Sequence, residues 1–255
     1  MTHTSLIAVL TLGLSAFIGQ AGDYSGKELI LNDDEPSLVK ISLDTRLRYE
    51  YGELNGLDVS HAWTMRNRLG LLTKEVGGFQ AYVEYEGTLA VDRGQYFAPG
   101  TEAPTGQTPI ADPESHELNQ AWVSYSTADD VLGLKVGRQG IVLDGQRFVG
   151  TVGWRQNMQT YDAVSLTWDP TDELSVYYGY IWQVNRIFGS EAVVPGFTDF
   201  KGGSHLFNAK YKGLPFGVLT GYVYSLDLHN VAGDINSSDT FGFSLAGDFI
   251  ADSTY

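Results

Sequence analysis

The sequence predicts an all-β chain folded as an antiparallel up-and-down transmembrane β-barrel, with about ten strands present. Three observations carry that expectation. Ten segments alternate apolar and polar residues with a period of two, which puts unlike chemistry on the two faces of a strand. The connections between them are by turns short and long, as in barrels whose turns line one rim and whose loops line the other. Aromatic residues gather near segment ends and on the apolar parity, where membrane–water interfaces hold them.

In chain order, residues 1–21 read as a secretory signal peptide. Residues 6–18 are its apolar core, and Gly19-Gln20-Ala21 supplies small side chains ahead of a cut before Gly22. Only His3, and no Lys or Arg, precedes the apolar run, so a buried N-terminal helix is the alternative. Residues 22–38, containing Asn32-Asp33-Asp34-Glu35-Pro36, form a polar leader without periodicity. The barrel region occupies 39–255. In 39–51, Val39, Ile41, Leu43, Thr45, Leu47, Tyr49 and Tyr51 share one parity and Lys40, Ser42, Asp44, Arg46, Arg48 and Glu50 the other. That is enough for a tilted crossing of a bilayer, which takes about 9–11 residues. In 63–74, Trp63, Met65, Leu69 and Leu71 oppose Thr64, Arg66, Arg68 and Lys74, with Asn67 and Leu72 as exceptions. In 79–89, Phe79, Ala81, Val83, Tyr85 and Leu89 oppose Gln80, Tyr82, Glu84, Glu86 and Thr88. Further strands are expected at 117–126, 132–139, 160–168, 174–185, 205–212, 216–227 and 240–249.

The short connections, 75–78, 127–130, 169–172 and 213–215, are made of turn residues. The long ones are 52–61, 90–116, 140–159, 186–204 and 228–239. Short turns would face the periplasm, on the side of the N-terminus. Beyond the signal peptide no apolar run is long enough for a transmembrane helix. The absence of cysteine favours a fold held by closure of its hydrogen-bond ladder. A formal charge of −15 argues against nucleic acid as a partner, since phosphates need a basic surface. The competing arrangement is a secreted soluble β-sheet protein that binds or degrades an acidic polysaccharide. It requires the apolar faces of two sheets to meet, with arginine-rich faces left in water.

The stretch 136–166, VGRQGIVLDGQRFVGTVGWRQNMQTYDAVSL, is too long for a hairpin turn and too rich in bulky residues for a flexible linker. It reads as a connection that leaves one strand, folds over something polar and returns to the next. Together with ELNQAWVSYS (117–126) it resembles the outer-membrane porins of the alginate-export (AlgE-like) family. The shared features are a Gly-Arg-Gln strand end (Gly137-Arg138-Gln139), a D-Q-R-like segment (Gly145-Gln146-Arg147), a Trp-Arg pair (Trp154-Arg155) and an aromatic-Asp strand opening (Tyr161-Asp162). The chain departs from the pattern at Gln159, where the family has a basic residue. The resemblance implies a β-barrel pore in the outer membrane of a Gram-negative bacterium. Such a pore would serve passive passage or export of anionic solutes, acidic polysaccharide or small anions. It implies a barrel of about 16–18 strands, so a chain with ten is expected to be incomplete at its C-terminus. The implied partners are outer-membrane lipid, lipopolysaccharide and an anionic solute; the oligomeric state stays open.

A pore acts through its lining. The candidate lining and solute-binding residues are Arg46, Arg48, Arg66, Arg68, Lys74, Glu84, Glu86, Lys135, Arg138, Arg147, Trp154 and Arg155. Arg46/Arg48 and Arg66/Arg68 lie on consecutive strands, so their side chains should form a ladder on one wall. Guanidinium forks bind carboxylates at two points and stay charged at any working pH, which suits a ladder that guides anions. Asp44, Glu50, Glu84 and Glu86 on the same parity offer the other use of those arginines, cross-strand pairing that stiffens the wall. Loop 140–159 is the candidate constriction, with packing on the rim through Trp154 as the alternative. Loop 90–116 carries Asp92, Glu102, Asp112 and Glu114, which reads as a solvated acidic loop rather than a Ca²⁺ site, as no EF-hand spacing occurs. The five histidines have no metal-ligand spacing. No nucleophile elbow, metalloprotease motif or phosphate loop is present, so no catalytic residue, metal or cofactor is expected.

Overall fold

A computed structural model describes residues 8–14, 29–30, 38–92, 94–100 and 106–247. Most of the expected signal peptide and polar leader lies outside the described residues, as does the end of the last expected strand. The strands, in chain order, are β1 (Ala8–Leu14), β2 (Leu29–Ile30), β3 (Val39–Gly52), β4 (Ser60–Thr73), β5 (Phe79–Ala90) and β6 (Ser115–Ser126). They continue as β7 (Leu132–Gln139), β8 (Thr160–Trp168), β9 (Leu174–Asn185), β10 (Asp199–Leu214), β11 (Gly217–Leu226) and β12 (Ser238–Ala246). β3 to β12 are the ten strands expected from the alternation. They pair antiparallel in sequential order in one sheet, the up-and-down arrangement. β1 and β2 lie along the other edge of β3, with Ala8 opposite Tyr51 and Leu29 opposite Leu43. The sheet is not closed: β12 pairs only with β11 among the described residues.

The two faces sort by chemistry. Leu69, Leu71, Val83, Tyr85, Val123, Leu134, Val136, Phe207 and Val223 are exposed on one face. Arg46, Arg48, Arg66, Arg68, Glu84, Glu86 and Asn208 are buried on the other. A soluble sandwich would bury the first set between sheets, and among the described residues no second sheet covers it. Asn67, an exception in the sequence pattern, stands on the apolar face, where it accepts a hydrogen bond from the hydroxyl of Thr45 directly opposite (2.8 Å). Pairing the two polar groups removes the cost that either would carry alone in lipid.

On the exposed face near the long-loop rim one device recurs three times. A tyrosine hydroxyl meets Nδ1 of a histidine diagonally across a hairpin: Tyr49 with His61 (2.7 Å), Tyr85 with His116 (2.6 Å) and Tyr178 with His205 (2.8 Å). In each hairpin the histidine lies two positions toward the loop from the tyrosine's register partner. Such pairs satisfy the polar tips of rings that sit at a membrane interface.

The sheet curls. Residues 140–159 touch both β3 and β11, through Gly153 and Asp144 respectively. In a flat sheet those strands, eight steps apart in the order, would be about 38 Å apart. Residues 144–153 include a 3₁₀ turn at Asp144–Gln146 and so stop short of full extension, and Val149 and Thr151 between the two contacts are buried, as a wall curving around them requires. The buried polar face is therefore the inside of the curve.

Among the described residues the ladder shifts register at Glu84/Tyr85, Asp162/Ala163, Tyr211/Leu214 and Lys201/Ser204. The last explains why β10 outruns its expected span of 205–212: Gly202-Gly203 interrupts the alternation, but pairing resumes to Asp199. Loop 91–114 folds back as well. Tyr96, Ala98 and Ile110 pack with Ala62 in a small apolar cluster over the loop-side end of β4.

Candidate functional site

The site is assembled by residues 140–159, which run inward from a clamped neck. Arg138 and Asp162, opposite in register, form a two-point ion pair (Nε to Oδ1 2.7 Å, Nη2 to Oδ2 3.1 Å), and Asn185 also donates to Asp162 (3.0 Å). On the inner face Ser165 donates to Gln139 Oε1 (2.9 Å), while the Tyr161 hydroxyl donates to the Gly150 carbonyl (2.7 Å). The Gly-Arg-Gln and Tyr-Asp segments thus meet and hold the base of the loop. Inside it, Asp144, Gln146 and Val152 have positive φ (49°, 63° and 52°). For a β-branched residue such as Val152 that is strained backbone.

The second half of the loop lies on the arginines of β3 and β4. Arg46 donates to Gln156 Oε1 (2.8 Å), to the Gly153 carbonyl (3.1 Å) and to the Arg155 carbonyl. One guanidinium fork thereby grips the loop backbone at two residues. Gln156 in turn donates to the carbonyl and hydroxyl of Thr64 (3.0 and 2.8 Å). Arg155 reaches Glu50 (3.2 and 3.1 Å) and stacks under Trp154 (3.9 Å to the ring centre). Asp112, from loop 91–114, accepts from Arg48 (2.9 Å) and from the Gln156 amide (2.8 Å), and lies 3.5 Å from Arg155. Tyr96 donates to the Asp112 carbonyl (2.7 Å). Burial, reinforced by the Asp112 charge, pushes the Tyr96 phenol up, so it stays a donor.

Arg46 faces Arg66 directly across the β3–β4 ladder, a like-charge pairing that costs free energy unless each finds a partner. Arg46 turns to the loop, Arg66 to Asp44, and Arg68 to Glu86. Glu84 accepts from Asn119 (2.6 Å), Gln120 (3.1 Å) and Tyr82 (2.8 Å).

The first half of the loop rests on the opposite wall. Ile141, Leu143 and Val149 form one apolar cluster with Ala163, Ile181, Val184, Phe200, Leu206 and Tyr224 of β8 to β11. Asp144 bonds the Tyr224 hydroxyl and accepts from Asn208 (2.6 Å). The inner face is therefore charged on β3–β5 and largely apolar on β8–β11, and one loop covers both.

The structure brings Arg46, Arg48, Arg66, Arg68, Glu84, Glu86, Trp154 and Arg155 to this inner network. Three expected members stand apart. Arg138 shares the parity of Leu134 and Val136, which are exposed, so its pair with Asp162 belongs to the outward face near the loop-side rim and not to the lining. Counting in twos from Val136 would have revealed this. Lys74 lies beyond the end of β4, exposed at the short-turn rim. Arg147 leaves the 3₁₀ turn exposed, on the apolar side of the loop. Lys135 stays on the inner face, its ammonium over the ring of Trp122 (4.3 Å). The ladder is not open to solvent: its arginines pair with carboxylates and with the loop. Asp112, expected in a solvated acidic loop, is instead buried against them. Nothing in a loop rich in Gly and Pro marked which carboxylate turns inward.

A sheet with apolar residues outside, charges inside and a loop filling the curve defines a transmembrane β-barrel wall. A family model described as Alginate export matches residues 38–183, more than half of the chain, and the chain belongs to that family. It is a family of outer-membrane β-barrel porins serving transport, not an enzyme family. No curated protein and no solved structure matches the sequence.

Proposed function

We propose that the chain forms the wall of a channel in the Gram-negative outer membrane through which anionic solutes, acidic polysaccharide or small anions, pass without energy input. The observation that carries this reading is the folding of residues 140–159 against the charged inner wall, where Arg46 and Asp112 hold them. A loop so placed narrows a bore. The buried arginines fix that loop, and cations outside the arginine network, among them Lys135, Arg147 and Lys210, supply the positive field an anion meets on its way past. Lipid and lipopolysaccharide would cover the apolar face and the tyrosine–histidine rim.

The purified chain inserted in planar bilayers is expected to conduct, with a reversal potential in a KCl gradient that favours chloride. Lys135→Gln combined with Arg147→Gln should move that potential toward cation preference. A wild-type chain that inserts without conductance, or conducts with cation preference, overturns the reading.

A further inference from the structure

We propose that a buried hydration site fastens residues 140–159 and residues 186–198 to the inner wall, a small cluster of water held by Arg66, Thr88, Ser115 and Asn157. Such a site is independent of what the channel passes.

The antiparallel register sets Arg66 of β4 beside Thr88 of β5, and Thr88 beside Ser115 of β6, in one row on the inner face. Arg66 is 2% exposed and the two hydroxyl side chains are wholly buried. Asn157, also wholly buried, comes to this row from the loop, next to Met158, whose amide bonds Glu86 of β5 (3.4 Å). Gly189 of the neighbouring loop closes the site. A Cβ there would lie 2.7 Å from the Ser115 Cβ, and the Ser115 hydroxyl and the Asn157 amide nitrogen are each 3.5 Å from that point. Only glycine permits this approach, since its φ of 78° is also left-handed. Two loops and three strands therefore meet at one buried spot.

The polar atoms at that spot lack partners among the described residues: Arg66 Nε, Thr88 Oγ1, Ser115 Oγ and Asn157 Oδ1 make no hydrogen bond. A buried donor or acceptor left unpaired has been stripped of solvent without gaining a partner, so native interiors pair such groups with protein or with ordered water. The mixture of groups names the occupant. A cation would be repelled by the Arg66 guanidinium, and an anion by Glu86, two positions along β5 on the same face. The guanidinium N–H only donates, the amide oxygen only accepts, and the hydroxyls do either. Water serves all of them, and about two to four polar partners are the setting in which it is retained inside a protein.

The test uses the full chain, refolded in detergent micelles for spectroscopy and in lipid vesicles for urea titration. The Asn157 side-chain amide should show an Overhauser cross-peak to water, with the sign in the rotating frame that separates contact from proton exchange. The Gln156 side-chain amide, bonded to the Thr64 carbonyl and hydroxyl (3.0 and 2.8 Å), serves as the dry reference. Thr88→Val and Ser115→Ala each remove one hydroxyl, and each should lower the urea midpoint by about 0.5 M, because the water loses a partner. In a dry site the sign is opposite, since an apolar group in place of an orphaned hydroxyl is an improvement. Absence of the Asn157 cross-peak in the wild type, or midpoints that stay or rise in the variants, overturns the site. If one variant does not fold, the wild-type cross-peak and the other variant decide.

Discussion

Asp112 accepts from two buried donors, Arg48 and the Gln156 amide, and lies within ion-pair distance of Arg155. Taking its carboxylate away leaves Arg48, among the described residues, with the more distant Glu50 at 3.8 Å as its remaining carboxylate. Removing one partner of a buried ion pair costs about 3–5 kcal/mol, because the other charge is left uncompensated. Asp112→Ala is expected to lose that much in urea titrations of the chain folded into lipid vesicles, whereas a substitution at exposed Glu75 should change little. Val152 is the opposite case. Its left-handed backbone is one that a β-branched residue occupies at a cost of about 1–2 kcal/mol, so Val152→Gly should raise stability by up to about 1 kcal/mol in the same titration. At this scale the sequence was partly readable. The alternation put Arg46, Arg48, Arg66 and Arg68 on one face, since parity is a local property. It could not tell that the partners of Arg46 and Arg48 come from two distant loops, because Gln156 and Asp112 sit in segments with no period at all.

Strand β7 is fixed at both ends. The turn at 127–130 is held by Asp129, whose carboxylate stands below the usual range because it accepts first from the Thr127 hydroxyl and then from the Val131 amide. A depressed folded-state pKa means that the stabilisation is present above the unfolded value and lost as pH falls through the folded one. The Asp129 carboxyl resonance should therefore titrate below that of an unstructured peptide, and Asp129→Asn should remove the acid loss of amide protection, measured against intrinsic exchange, in this turn. At the other end of that hairpin pair, Arg138 and Asp162 clasp the neck of the inward loop. A double-mutant cycle on Arg138→Gln and Asp162→Asn should return a coupling of about 1 kcal/mol, as expected for a well-aligned but half-exposed pair. Three strands were legible to the residue, since β7, β8 and β9 start and end where the alternation does, while β10 begins six residues before its expected start. The inward apolar patch of Ile181 and Leu206 was not. Period-2 reasoning says which residues share a face, and it is silent on whether a loop will come to cover that face.

For the whole molecule, the sorting of apolar from charged faces is what lets a sheet of this kind live in a bilayer, since closed ladders satisfy every backbone polar group there. Leu71 and Val83 are register partners on the exposed face. Leu71→Arg should cost about 2–4 kcal/mol of folding free energy in vesicles if that face meets hydrocarbon, and nearly nothing in a soluble fold; refolding yield against urea distinguishes them. The loop inside the curve has a consequence of its own. One of its ends, 141–149, is anchored in grease, and the other, 153–158, is latched by charge. Salt slackens the latch, weakly at physiological strength because buried pairs are poorly screened, and leaves the anchor firm. Molar chloride should therefore quicken hydrogen exchange at the Gln156 amide while the Leu143 amide, bonded to the Val149 carbonyl at 3.1 Å, keeps its protection. The segment would then swing as a flap hinged about Val152, widening the passage from one side only.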